Sequence, residues 1–200
     1  MTIRPGDDWG RRIPGPVSAV RVADDASAAA HRGGRVVLTG GDLHRALGAP
    51  GTPDTDSDCT ELEVDLLEVV VERRDGREET TWAASSVVAG NWWRRGRVTA
   101  VLNTGFLDER NLAPRAHPND GAFEVLQVDR VMPRRERREA LRRSLTGSHL
   151  PHPLIGLVRA DSWEIERTGP LDTLRIDGVI VRDWCRVRVT LHPDALLVVV

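Results

Sequence analysis

Three aspartates stand in glycine-containing turns: Gly40-Gly41-Asp42, Asn119-Asp120-Gly121 and Ile176-Asp177-Gly178. A carboxylate placed in such a turn can accept a proton from a substrate hydroxyl. With neighbouring loop carbonyls it can also form an all-oxygen site for a hard cation such as Mg2+. The same strings are also ordinary turn chemistry, because Asn and Asp tolerate positive φ and Gly adopts it freely. Gly40 and Gly41 precede a short helical run that carries Arg45, and free backbone N–H groups there would hold an anion; a plain tight turn is the alternative. Spacing alone leaves both readings open.

Other groups are weaker candidates. Pro133 to Leu145 carries six arginines, Arg134 and Arg138 among them, against Glu136 and Glu139. That surface can attract phosphate or an anionic leaflet, or simply be a solvated helix with internal ion pairs. Its apolar stripe, mainly Leu141 and Leu145, is too narrow for deep insertion. Trp92-Trp93-Arg94-Arg95 reads as an interfacial anchor or as a tryptophan pair folded back on its own sheet. His149 and His152 flank Pro151, which spoils helical spacing for zinc.

Composition removes whole classes. All 28 cations are Arg and Tyr is absent. A catalytic, Schiff-base or P-loop lysine is therefore excluded. No GxSxG turn occurs. The formal net charge of −2 is unevenly spread: residues 1–80 hold 10 Arg against 16 acids, residues 81–200 hold 18 against 14. Neither balance calls for nucleic acid. Cys59 and Cys185 form neither a zinc motif nor a disulfide framework, so a reduced, cytoplasmic compartment is expected. The charged, Pro/Gly-rich start lacks a signal-peptide core, and no stretch reaches 18 apolar residues.

The elements that must position these groups are mostly strands. Asp24 or Asp25 caps a short helix to His31, Arg35–Leu38 is a strand, and 43–47 a helix closed by Gly48. After the loop 51–60, runs at 64–72 and 78–88 flank the hairpin signal Asp75-Gly76. Further runs fall at 98–103, 123–128, 154–159, 163–166, 171–176, 184–191 and 196–200. One helix interrupts them, with Pro133 at its first turn and Gly147 at its end. Short, evenly spaced, β-branched runs argue for an antiparallel sandwich or barrel, and the expectation is an antiparallel β-sandwich with one crossing helix.

Taken in order, several segments resemble the β-rich domain of bacterial diacylglycerol kinase-like lipid kinases. They are the strand ending at Asn103, Ala113-Pro114 through Asp120-Gly121, the helix leading into 146–153, Leu174 through Gly178, and His192 through Val199. The resemblance covers about 120 residues. It implies that Asp120 holds a structural Mg2+ together with the main-chain carbonyls of His117 and Ala122. Thr39 through Gly48 is similar to the family's GTGND-type turn and helix, with Asp42, Leu43, Arg45, Leu47 and Gly48 retained.

Two departures limit what carries over. Where the family has the acid that deprotonates the lipid hydroxyl, this chain has Val179, leaving Asp177 and Asp42 as weak candidates. The phosphate-binding GGDGT turn is missing, and the residues ahead of the sandwich are too few for the nucleotide-binding domain, so ATP binding by this chain alone is not expected. The expectation is a mainly β protein: a small α/β remnant over residues 1–60 and a lipid kinase-like sandwich over 61–200. It is expected to be non-catalytic, to bind a lipid, a phosphorylated ligand or a protein partner, and at most to touch a membrane peripherally. The alternatives are a phosphotransferase completed by a partner's nucleotide half and a structural interaction module.

Overall fold

The computed structural model describes residues 9–92, 96–169 and 172–200. In chain order the elements are β1 (Arg11–Ile13), β2 (Val20–Val22), α1 (Asp25–Ala30), β3 (Arg35–Leu38), α2 (Gly41–Ala46), β4 (Cys59–Arg73), β5 (Glu78–Ala83), β6 (Ser86–Ala89) and β7 (Val98–Leu102). They continue with β8 (Phe106–Leu107), β9 (Arg110–Asn111), β10 (Phe123–Val128), α3 (Arg134–Arg143), β11 (Ile155–Ala160), β12 (Ser162–Glu166), β13 (Leu174–Ile176), β14 (Val179–Val181) and β15 (Trp184–Val199). One sheet runs β1-β4-β15-β3-β2, with β5 also paired to β4 and β12 to β15. The facing sheet runs β11-β10-β7-β6-β13-β14. The architecture is mainly β, as the run spacing predicts.

The patterns of burial follow from what covers each face. Leu67, Val69 and Val71 of β4 and Val187 and Val189 of β15 meet Val87, Val101, Phe123 and Val125 of the other sheet in the central core. Every residue of β7 is buried. Its second face lies under Leu112, Ala113, Met132 and Ala140, so the strand reads as a continuous apolar run and not an alternating one. The first half of β4 alternates instead, Leu62, Val64 and Leu66 lying under Ala28, Ala29 and Leu43 of α1 and α2 while Glu61, Glu63 and Asp65 take the intervening positions.

Several expectations hold closely. Asp24 caps α1, its Oδ1 accepting the Ser27 N–H at 2.8 Å. Gly76 (φ 82°) turns the β4–β5 hairpin, and Gly147 (φ 68°) follows the last turn beyond α3.

Others need correction. The run 78–88 is two strands in different sheets, β5 and β6. The runs 184–191 and 196–200 are one strand, β15, with an irregularity between His192 and Leu196 where Asp194 takes φ 54°. Pro133 is the N-cap of α3, with ψ 148°, so the helix begins one residue later than expected. Cys59 is the buried first residue of β4 and not part of the loop. Strands β1, β2, β14 and the β8–β9 hairpin were not expected. Trp93, Arg94, Arg95 and Leu171 lie outside the described residues.

The N-terminal elements do not stand apart. β3 pairs parallel with β15 and β2 parallel with β3, extending the first sheet. Buried Glu61 of β4 ties this arrangement from two sides, pairing with Arg11 at 2.6 Å and with Arg35.

Candidate functional site

Gly40 and Gly41 are required where they stand. A Cβ on Gly40 would lie 2.6 Å from the Ala23 carbonyl oxygen, and one on Gly41 (φ +95°) 2.3 Å from Asp25 Oδ1. The group against which the turn closes is thus the Asp25 carboxylate. It accepts the backbone N–H groups of Asp42 (2.7 Å) and Leu43 (3.0 Å) at the start of α2. An internal anion occupies the donors that the sequence offered to a ligand. Burial pushes the Asp25 carboxyl up, against the pull of those two donors.

Asp42 is equally engaged. Its Oδ1 accepts Arg45 Nη1 at 2.8 Å and its Oδ2 the Asp108 N–H at 2.9 Å, while Arg45 also donates to the Asp108 carbonyl. This fastens α2 to the end of the β8–β9 hairpin. Burial, reinforced by repulsion from Asp25, raises the Asp42 pKa to about 6 in spite of the Asp108 N–H.

Asp177 (φ 44°) and Gly178 (φ 80°) form the two-residue turn between β13 and β14, where Ile176 is opposite Val179. Positive φ at both positions suits this hairpin turn. The Asp177 side chain reaches the point at which the chain crosses from β5 to β6. Its oxygens accept the N–H groups of Ala84 (2.7 Å), Ser85 (3.0 Å) and Ser86 (2.8 Å). Burial raises its pKa to about 7, the three donors opposing. Val179 is 56 % exposed on the edge strand. Its isopropyl group has no proton-accepting atom.

The Asp120 turn is held differently. Asp120 Oδ2 and the Asp120 carbonyl oxygen each lie 3.0 Å from Arg159 Nη2, and Oδ1 accepts the Ala122 N–H at 3.3 Å. His117 packs edge-on against Trp9, with centroids 4.5 Å apart, and its Nδ1 accepts the Asn119 N–H at 3.2 Å. From the opposite sheet, fully buried Asp65 accepts the N–H groups of Gly121 and Asp194, both at 3.0 Å. A guanidinium stands against the carboxylate on which a Mg2+ would rest, so these residues do not fit a metal as arranged. Among the described residues no group of three His, Cys, Asp or Glu side chains is placed to hold one.

Beside the first group of acids a cleft of about 260 Å³ opens on the outer face of the six-stranded sheet. Val88, Trp92, Leu107, Leu112 and Leu141 supply apolar walls, and Arg110 and Arg175 supply charge. The lining includes Asp108, whose N–H Asp42 accepts, and Gly178, which follows Asp177 in its turn. Arg110 donates to the Leu141 carbonyl, fixing the hairpin to α3. Among the described residues neither the buried Trp92 indole N–H nor the exposed Arg175 has a partner.

Neither Asp42 nor Asp177 lines this cleft; each adjoins it through a neighbour, Asp42 through its partner Asp108 and Asp177 through Gly178. The structure leaves Arg134 and Arg138 exposed on α3, outside the cleft lining, and Asp120 at a separate turn. Reading the sequence missed Asp25, Asp65, Asp108, Arg110 and Arg159. Asp65 had a signal, a lone acid inside Val64-Asp65-Leu66-Leu67, since a buried charge in an apolar strand must be hydrogen-bonded.

Two facing sheets clasped through buried aspartates, with an α/β lobe extending one of them, define a β-sandwich domain with a cleft on its outer face. Residues 79–200 match the family described as the YegS C-terminal NAD kinase beta sandwich-like domain, and the chain belongs to that family. The fold is similar to that of yeast NADH kinase complexed with NADH (TM-score 0.54, 11% identity), covering 88% of this chain and 57% of that one. This chain thus spans little more than half of that kinase. A second similar structure is a protein assigned as a diacylglycerol kinase from Bacillus anthracis str. Sterne (TM-score 0.49, 12% identity), covering 82% of this chain and 69% of that one. No curated protein matches the sequence. Among the described residues no helix is long and apolar enough to cross a membrane.

Proposed function

We propose that this kinase-like domain is a non-catalytic binder of a single-chain amphiphile with an anionic head, either a lipid or another phosphorylated molecule, in the cleft under the β8–β9 hairpin. One observation carries the reading. The Asp42 and Asp177 carboxylates have their oxygens committed to backbone N–H groups or to Arg45, while among the described residues the cleft keeps an indole N–H and Arg175 unmatched. Val88, Leu107, Leu112 and Leu141 suit an acyl segment, and Arg175 suits a phosphate as a charge-assisted donor. Without an acid at position 179 the loss of a positioned base removes on the order of 10²–10⁴ of rate. The fold shared with NADH kinase suggests a phosphorylated molecule as the alternative ligand.

Titration with lysophosphatidate below its micellar concentration, followed by tryptophan fluorescence, tests this. Saturable binding is expected, weakened by Arg175→Ala and by Leu141→Trp, which fills the cleft. Monoacylglycerol, lacking the phosphate, should bind less tightly. Absence of saturable binding would favour a structural interaction module. Transfer of phosphate from ATP to an acylglycerol by the purified chain alone would overturn the non-catalytic reading.

A further inference from the structure

The turn 117–122 is surrounded by carboxylates. Asp65 holds Gly121 from beneath, Asp120 lies in the turn itself, and Glu124 is buried two residues into the following strand. Asp120 and Glu124 are close enough to repel, as are Asp65 and Asp120. Such a cluster needs a positive partner. Arg159 is placed to be one: on β11 it pairs directly across from Glu124 on β10, and its guanidinium reaches over to the Asp120 carboxylate and carbonyl. One nitrogen serving two oxygens of one residue fixes the turn as a cation would, while the tether to β11 spares the entropy of capturing a free ion.

We propose that Arg159 is the resident cation of the Asp120 turn, making this turn independent of metal, and that removing its charge opens a divalent-cation site on Asp120. Two features favour it over an incidental surface pair. The Arg159 contact includes a main-chain oxygen of the turn as well as the side chain. The Glu124 carboxylate opposite is buried, so its neutralisation cannot be left to solvent.

The test uses the full chain, with Mn2+ as probe and melting temperature as a second readout. The wild type should melt at the same temperature in EDTA and in millimolar Mg2+. Arg159→Gln should melt lower in EDTA, regain stability with Mg2+ or Mn2+, and bind Mn2+ about tenfold or more tightly than wild type, a difference of about 1.4 kcal/mol. Adding Asp120→Asn to Arg159→Gln should abolish that recovery. Arg159→Lys, which keeps the charge, should remain indifferent to metal, and Arg159→Ala serves if Arg159→Gln does not fold. The proposal is overturned if wild type is stabilised by Mg2+ in a manner lost with Asp120→Asn, or if the folded variant without the charge, Arg159→Gln or Arg159→Ala, responds to metal no differently from wild type.

Discussion

Asp177-Gly178 and Asp120-Gly121 are the same dipeptide in the same fold, yet their carboxylates are neutralised by different means. Asp177 is held by three backbone N–H groups of one segment, Asp120 mainly by the charge of Arg159. Backbone donors are fixed in number and direction, so the first arrangement joins two pieces of chain and admits no substitute. A guanidinium on a half-exposed side chain can be exchanged for another cation. The first turn is an architectural joint and the second an electrostatic one.

The largest effect should come from breaking the joint at Asp177. Asp177→Ala strands three N–H groups, each a buried donor costing about 1–3 kcal/mol when left unmade. A loss of about 3 kcal/mol or more is expected by urea denaturation. Asp177→Asn, which tolerates the positive φ, should lose less. Asp25→Ala strands two donors at the start of α2 and should cost about 2 kcal/mol. If either variant is near neutral, the backbone contacts are not what holds these segments.

The dependence on pH sharpens the contrast next. The folded pKa of Asp177 is raised from 3.8 to about 7 and that of Asp42 to about 6, so the folded state binds more protons than the unfolded chain between these limits. Their contribution to stability is full below about pH 4 and declines as pH rises to about 7. The stability of Asp177→Asn relative to wild type should therefore improve from pH 5 to pH 7.5. A relative stability flat with pH would contradict it. The smallest effect belongs to Arg159: with its side chain 53% exposed, Arg159→Ala should cost about 0.5–1 kcal/mol and less at high salt. The Asp177 effect should be far less sensitive to salt.

Much of this fold can be read from the residues. Alternating and β-branched runs gave the strands, and Asp-Gly pairs gave the turns at 75–76 and 177–178, because these signals are local. What was hidden depends on partners far along the chain. β1 and β2 are three residues each, too short for periodicity, and exist because β4 and β3 offer them free edges. At the candidate site Asp42, Asp120 and Asp177 were visible as turn residues. That Asp25 fills the glycine turn was not, since nothing in Gly40-Gly41 distinguishes a carboxylate of the same chain from a bound anion. Arg159 looked like one arginine among 28.

Parallel pairing of β3 with β15 places Arg35 opposite Leu197, near the two ends of the sequence. Loop closure of that length is entropically unfavourable until the intervening strands have condensed. During synthesis α1, β3 and α2 emerge well before β15, the strand with which β3 pairs on the sandwich side. Until β15 is made, β3 has β2 alone as its strand partner. Its docking onto β15 is expected to be a late step of folding, and the interval before it a time when the nascent chain is exposed to aggregation.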